Sequence, residues 1–188
     1  RSRAHPITRA RILPRCAPRV KRSWRRTGEV MPRHSEARCL PYTPEQMFDL
    51  VADVQRCSQF LPWVTAIRVR SDSATEMVAD MIVGFKGLRE SFTSRVVKER
   101  PSRLHVDYLD GPLKHLSNDW SFESDGAGGV KIEFEVDFAF KNKLFEALAG
   151  AMFDAALRKM IGAFDARAAE LYASSASGSS SSSAQSAA

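Results

Sequence analysis

The chain has 188 residues, enough for one domain with a sizeable core and too few for two. Its net charge of +6 is unevenly placed: residues 1–30 carry ten Lys and Arg against one acid, while residues 31–188 carry eighteen against twenty-one, a net of −3. That mildly acidic remainder argues against a nucleic-acid surface built on counterion release, and no apolar run approaches the ~20 residues of a membrane-spanning helix.

The first thirty residues include Pro6, Pro14 and Pro18 with an Arg every few positions. They lack apolar periodicity, so a disordered basic extension is expected over 1–30. An Arg-rich, acid-poor opening suits a mitochondrial transit peptide or a nucleic-acid-binding arm. The favoured expectation is simpler: Met31 opens a compact sequence and is the natural start, with the upstream residues an artefact of gene-start choice. The domain then runs over 31–173, and the Ser/Ala-rich residues 174–188 form a disordered tail.

Ser35 to Leu40 is expected as a first strand, stopped by Pro41. Thr43 can cap a helix with Pro44 at its first position and Gln46 at capping-box spacing, and Met47, Phe48, Leu50, Val51 and Val54 give that helix an apolar face. A second helical turn, Gln55 to Phe60, ends near Pro62 and Trp63. The apolar period then changes to two. Thr65–Arg70, Glu76–Phe85, Ser91–Lys98, Leu104–Leu109, Leu113–Phe122 and Val130–Phe140 read as six further strands, with Gly84 and Gly87 suited to a bend or bulge in a curved sheet. In the last strand Val130, Ile132, Phe134, Val136, Phe138 and Phe140 share one face and Lys131, Glu133, Glu135 and Asp137 the other, a half-buried antiparallel pattern.

A helix is expected from about Asn142 to Tyr172. Leu148, Met152, Phe153, Ala156, Leu157, Met160, Ile161 and Phe164 spread over roughly 220° of it, against the ~100° stripe that suffices to cover a sheet. Asp154, Arg158 and Asp165 take the remainder. The excess must be buried against something else. The order of strand, two short helices, six strands and long helix predicts an α+β fold, a curved antiparallel sheet of about seven strands wrapped around the C-terminal helix.

Candidate chemistry is sparse. His105 shares a strand face with Asp107, and His115 with Ser117, Asp119 and Ser121. Both faces are polar, and neither histidine has a convergent partner set in the sequence, so both are expected at the surface. Nucleotide, hydride and acyl-transfer motifs are missing. Cys16, Cys39 and Cys57 are odd in number and far apart, which predicts no zinc, redox or disulfide framework and a reducing compartment. On the other face of the Leu113 strand, Leu116, Asn118, Trp120 and Phe122, with Lys114, should point at the long helix, an apolar floor with polar handles. Phe60 and Trp63 suit either a hydrophobic plug or a gate.

The segments Leu40-Pro-Tyr-Thr-Pro-Glu-Gln-Met-Phe-Asp-Leu-Val-Ala-Asp-Val54, Phe60-Leu-Pro-Trp63, Gly111-Pro-Leu-Lys-His-Leu-Ser-Asn-Asp-Trp-Ser-Phe122 and Val136-Asp-Phe-Ala-Phe-Lys-Asn-Lys-Leu-Phe145 carry a likeness. Over about Met31 to Tyr172 the chain resembles the coenzyme Q-binding START-domain family of the polyketide cyclase/START helix-grip superfamily, whose bacterial members include RatA-type ribosome-association toxins. Cys57-Ser58 depart from the aromatic-Pro pair common there.

The resemblance implies a non-enzymatic protein with no covalent cofactor, binding a polyprenyl quinone, ubiquinone, in an apolar tunnel. The tail would lie along Met152, Phe153, Ala156 and Met160. The headgroup would sit near Asn118 or Trp120 on a floor that includes Leu116, or at the Phe60 and Trp63 edge. Respiratory electron transport, through peripheral contact with the inner membrane or respiratory complexes, is the implied role. The implied place is the bacterial cytoplasm, or the mitochondrial matrix side if residues 1–30 are a transit peptide. The alternatives are a RatA-like inhibitor binding the large ribosomal subunit and a polyketide cyclase or aromatase, which would need an acid or base inside the cavity.

Overall fold

The structure is a computed structural model that describes residues 19–21, 33–85, 88–141 and 143–172. Its strands are β1 (Arg19–Lys21), β2 (Arg33–Leu40), β3 (Val64–Asp72), β4 (Glu76–Phe85), β5 (Leu88–Glu99), β6 (Arg103–Asp110), β7 (Leu113–Ser124) and β8 (Val130–Phe140). The helices are α1 (Pro44–Ala52), α2 (Cys57–Phe60) and α3 (Lys143–Tyr172), with a 3₁₀ turn, Val54–Arg56, leading into α2.

The eight strands form one antiparallel sheet in the order β1-β2-β8-β7-β6-β5-β4-β3. The chain lays β2 beside the last strand, and α1 and α2 then carry it to the far side of the sheet, where β3 begins a meander that returns to β8. This is the expected helix-grip arrangement, with one strand more than the expected seven. The extra strand falls in the stretch expected to be disordered: Arg19–Lys21 pairs with Ser35–Ala37 along the outer side of β2. A strand edge presents unpaired backbone donors and acceptors, and three residues suffice to take some of them up without an apolar pattern. Other residues of the 1–30 extension, and the 174–188 tail, lie outside the described residues.

Helix α1 starts as its residues dictate. Thr43 Oγ1 accepts from the Gln46 amide at 3.2 Å, Gln46 Oε1 accepts from the Thr43 amide at 2.9 Å, and Pro44 occupies the first helical position. Its buried face is Met47, Phe48, Leu50 and Val51. On β8, Val130, Ile132, Phe134, Val136 and Phe138 are buried as the alternation requires.

No bulge falls at Gly84. Gly84 keeps an unbroken register opposite Arg89, and the irregularities lie between Val64 and Ala66 and between Val69 and Ser71 on β3, between Thr93 and Ser94 on β5, and between Leu113 and His115 on β7. These strands must bend to curve the sheet around the helix, and an extra residue does so without glycine. Gly87 lies outside the described residues. Cysteine pairing also departs from the sequence reading: Cys57 is free and buried, whereas Cys39 is disulfide-bonded.

One core joins α1, α2 and the C-terminal half of α3 to the concave face of the sheet, through Met47, Phe48, Leu104, Phe122, Phe164 and Ala168 among others. A second cluster, Phe134, Val136, Phe138 and Leu157, continues it along β8. On α3 the wide apolar arc is used broadly: Leu157, Phe164 and Ala168 are buried, and Met160, Ile161 and Ala163 are partly buried against these clusters.

Candidate functional site

Alternation on β7 sends Trp120 and Phe122 to the concave face, and Trp120 becomes the centre of an aromatic nest. Its ring centroid lies 4.5 Å from Phe134, 5.7 Å from Phe164 and 6.4 Å from Phe122. Beside it, between β2 and α3, is a pocket with a volume of about 40 Å³. Its wall is Leu40, Met47, Val51, Trp120, Ile132, Phe134, Ile161 and Phe164, and its polar groups are Glu36, Arg38 and Asp165. The space at this seam between β2 and α3 is small beside a lipid-sized guest.

The residues holding that seam shut were not singled out from the sequence. On β2, His34, Glu36, Arg38 and Leu40 alternate onto the concave face, and the polar three form a ladder. His34 is 7 % exposed, and its Nε2 lies 3.4 Å from Glu36 Oε2. Glu36 Oε1 lies 3.7 Å from Arg38 Nε. Arg38 then donates to both carboxylate oxygens of Asp165 on α3, at 2.9 and 2.6 Å. A two-point guanidinium–carboxylate pair is directional as well as attractive. The signal was in the sequence: three polar residues two apart leading to Leu40 on one strand face, and Asp165 interrupting an apolar helix.

Of the residues proposed to contact a ligand, Trp120 lines this pocket. Leu116 is partly buried against the Phe134 cluster, and Met160 packs against both clusters. Ala156 is half-buried on α3. Asn118 is half-buried, and its Oδ1 is sealed from solvent with no hydrogen-bond partner. Phe60 packs edge-on against Phe164 at 5.1 Å, and Trp63 is partly buried against the core, away from the pocket wall. Met152 and Phe153 have side chains outside the described residues. Lys114, expected to point at the helix, is exposed.

The convex face carries a different cluster. His105 Nδ1 lies 2.9 Å from Asp119 Oδ1 and Nε2 2.9 Å from Asp107 Oδ1, while Arg103 donates to Asp119 at 2.7 Å and Arg95 to Asp107 at 2.6 Å. His105 was expected to lack convergent partners; they come from register, since His105 stands opposite Asp119 on β7 and Asp107 opposite Arg95 on β5. Burial works against the imidazolium, but the two carboxylates outweigh it and hold the His105 pKa above its ordinary value. Hydrogen bonding to Arg95 holds the Asp107 carboxyl below the usual range despite partial burial. Each basic member is hydrogen-bonded to a carboxylate, so the cluster reads as a structural ladder. His115 is exposed.

Comparison with known proteins places this geometry in a wider set. The family described as "Polyketide cyclase / dehydrase and lipid transport" matches residues 40–165. The chain is 37 % identical over 143 residues to the Escherichia coli (strain K12) protein named ribosome association toxin RatA, covering 76 % of this chain and 90 % of that one. It is 33 % identical over 144 residues to the Xenopus laevis protein named coenzyme Q-binding protein COQ10 homolog B, mitochondrial, covering 74 % of this chain and 59 % of that one. Among solved structures, the 18 kDa protein CC1736 from Caulobacter crescentus is 40 % identical, with a TM-score of 0.62 over 75 % of this chain and 98 % of its own. A START superfamily protein from Mycobacterium smegmatis shares the fold at 15 % identity, with a TM-score of 0.60 over 74 % of this chain and 98 % of its own.

Proposed function

The chain belongs to the polyketide cyclase/START-like lipid-transport family, and from that premise we propose that it is a non-enzymatic binding protein for a polyprenyl quinone, ubiquinone, serving respiratory electron transport. The observation that carries this reading is the pocket itself: an apolar wall centred on Trp120 and Phe134, with charge confined to Glu36, Arg38 and Asp165. Such a division suits a ligand that is mostly hydrocarbon with one polar end. Each CH₂ removed from water contributes about 0.8 kcal/mol, so an isoprenoid tail supplies affinity without further polar contacts. The tail would run along α3 past Met160 and Ala156 toward Met152 and Phe153. The name of the Xenopus relative supports the same ligand. Among the described residues no helix is long and apolar enough to cross a membrane, which fits peripheral delivery at the inner membrane.

Lipid extraction of the full purified chain followed by mass spectrometry tests the reading. A co-purifying polyprenyl quinone is expected, and Ala156→Trp, which puts an indole on the proposed path of the tail, should deplete it. Release of no quinone, or unchanged retention in Ala156→Trp, would count against the ligand or against the site.

The name of the Escherichia coli relative favours a second reading, an inhibitor of ribosomal subunit association that binds the large subunit. Arg70, Arg95 and Arg103 are already paired with Asp80, Asp107 and Asp119, which leaves those cations little to offer rRNA phosphates. Salt-sensitive co-sedimentation with ribosomes, with no quinone released, would favour that reading. For a polyketide cyclase or aromatase, the carboxylates lining the pocket are Glu36 and Asp165, and Asp165 is held in a two-point pair by Arg38.

A further inference from the structure

The polar end of the pocket beside Trp120 decides which kind of headgroup can settle there. Among the described residues that end consists of one cation, Arg38, and two carboxylates, Glu36 and Asp165, which together leave it with a formal charge of −1. The side chains of Arg38 and Asp165 are 30 % and 34 % exposed, so a headgroup can meet them from the solvent side.

A guanidinium offers two sides for two-point bonding, one made by its terminal nitrogens and one by Nε with a terminal nitrogen. Asp165 takes the first: Nη1 donates to Oδ1 at 2.9 Å and Nη2 to Oδ2 at 2.6 Å. Glu36 Oε1 stands 3.7 Å from Nε, on the second. A carboxylate or phosphate headgroup would lose hydration against the apolar wall and need a cation in return, and Arg38 already faces two acids. A neutral headgroup has no such need. Each terminal nitrogen of Arg38 carries a second hydrogen that Asp165 does not take, and a carbonyl or hydroxyl oxygen can accept it without breaking the pair.

We propose that Asp165 sets the headgroup class of the ligand: by occupying the Arg38 fork it reserves the pocket for neutral headgroups and turns away lipids headed by a carboxylate or phosphate. This deepens the quinone reading given above and rests on it. Asp165 acts through Arg38, as a specificity residue. Asp165→Asn keeps the shape of the side chain, removes its charge and opens the fork to a ligand's own carboxylate.

The test is equilibrium dialysis of the full chain at pH 7.5 against two ligands with ten-carbon chains, a decyl-substituted benzoquinone and decanoate, with bound ligand quantified by mass spectrometry. Because both ligands are read in every variant, a general loosening of the seam moves them together and leaves their ratio alone. The unaltered chain should bind the quinone and bind decanoate at least about tenfold more weakly. In Asp165→Asn the ratio should shift toward decanoate by about tenfold, the size of a charge-assisted bond reduced by solvent screening. Arg38→Met combined with Asp165→Asn should lose that shift. Equal affinity in the unaltered chain, or an unchanged ratio in Asp165→Asn, overturns the role of Asp165 and leaves the quinone reading standing. A shift that persists in the double variant overturns the part given to the Arg38 fork. Failure of the quinone to bind the unaltered chain overturns the quinone reading and this proposal with it.

Discussion

Arg38 on β2 and Asp165 on α3 meet at the rim of the apolar pocket in a two-point ion pair, at 2.9 and 2.6 Å. They are 127 positions apart in sequence and tie the strand laid down early to the helix laid down last. Their side chains are 30 % and 34 % exposed, so solvent screens the pair and its contribution is about 1 kcal/mol. Arg38→Met and Asp165→Asn should each lower the melting temperature by about 2–4 °C. The double variant should lose clearly less than the sum, which a thermal double-mutant cycle reads directly. Both singles should also exchange a bound hydrophobic dye faster, because the seam that encloses the pocket is unfastened.

Gly111 follows β6 with φ +136°, and a Cβ built there would stand 2.8 Å from Phe92 Cβ and 2.9 Å from the Ser91 carbonyl oxygen. Backbone conformation and space both demand glycine. Gly111→Ala should cost about 2–3 kcal/mol, read by denaturant unfolding. Gly126→Ala, at φ +73° with nothing within 4 Å of its Cβ, should cost about 1–2 kcal/mol, the backbone penalty alone.

His105 makes the protein's stability depend on pH in a definite direction. Its pKa is raised above 6.5 because Asp119 and Asp107 outweigh the effect of burial. A raised pKa means that the folded state binds the proton more tightly than the unfolded chain does. The contribution is therefore full below about pH 6.5 and is lost as pH rises through the folded value. His105→Gln should destabilise the protein most at pH 5.5 and progressively less toward pH 8.5, in melting curves recorded across that range. The opposite trend, or a flat difference, would show that the two carboxylates do not hold the imidazolium.

Cys57 is buried, and burial, with Asp53 nearby, pushes its thiol up to about 12. The reactive species is the thiolate, so at pH 8 only about one Cys57 in 10⁴ is reactive at any moment in the folded protein. Iodoacetamide at pH 8 should leave the Cys57 peptide unmodified in native protein and label it completely in guanidinium, as read by mass spectrometry.

Much of the fold was legible because local chemistry and tertiary packing agree. Thr43-Pro44 and Gln46 mark the start of α1 through bonds made within four residues, and the bounds of β4 and β8 follow from alternation alone. The candidate site was half legible. Trp120 and Asn118 follow from the period-two pattern of β7, yet the His34-Glu36-Arg38 ladder looks in sequence like a solvent-facing strand edge. Only when α3 brings Asp165 against Arg38 does that ladder become the rim of a pocket. His105 hid its partners for the same reason, since Asp119 lies 14 residues away and is reached through the register of β6 on β7. Bonds set by register and by helix docking are tertiary facts, and a single strand's pattern does not carry them.

Trp120 separates what holds the sheet to the helix from what a ligand would occupy. It touches Phe134, Phe164 and Phe122 and lines the pocket, so Trp120→Ala removes an aromatic body from the place where both clusters meet. A large-to-small change of this kind costs about 3–5 kcal/mol, and Trp120→Phe, which keeps most of the aromatic contact, should cost less than half as much. The same deletion enlarges a pocket that now holds about 40 Å³. If the pocket admits the ligand, Trp120→Ala should be less stable to denaturant and yet bind bulkier apolar probes, while its stability is restored more strongly by saturating ligand than that of Trp120→Phe. Chemical unfolding with and without a decyl quinone reads both effects. Loss of stability with no ligand rescue in either variant would assign Trp120 to packing alone.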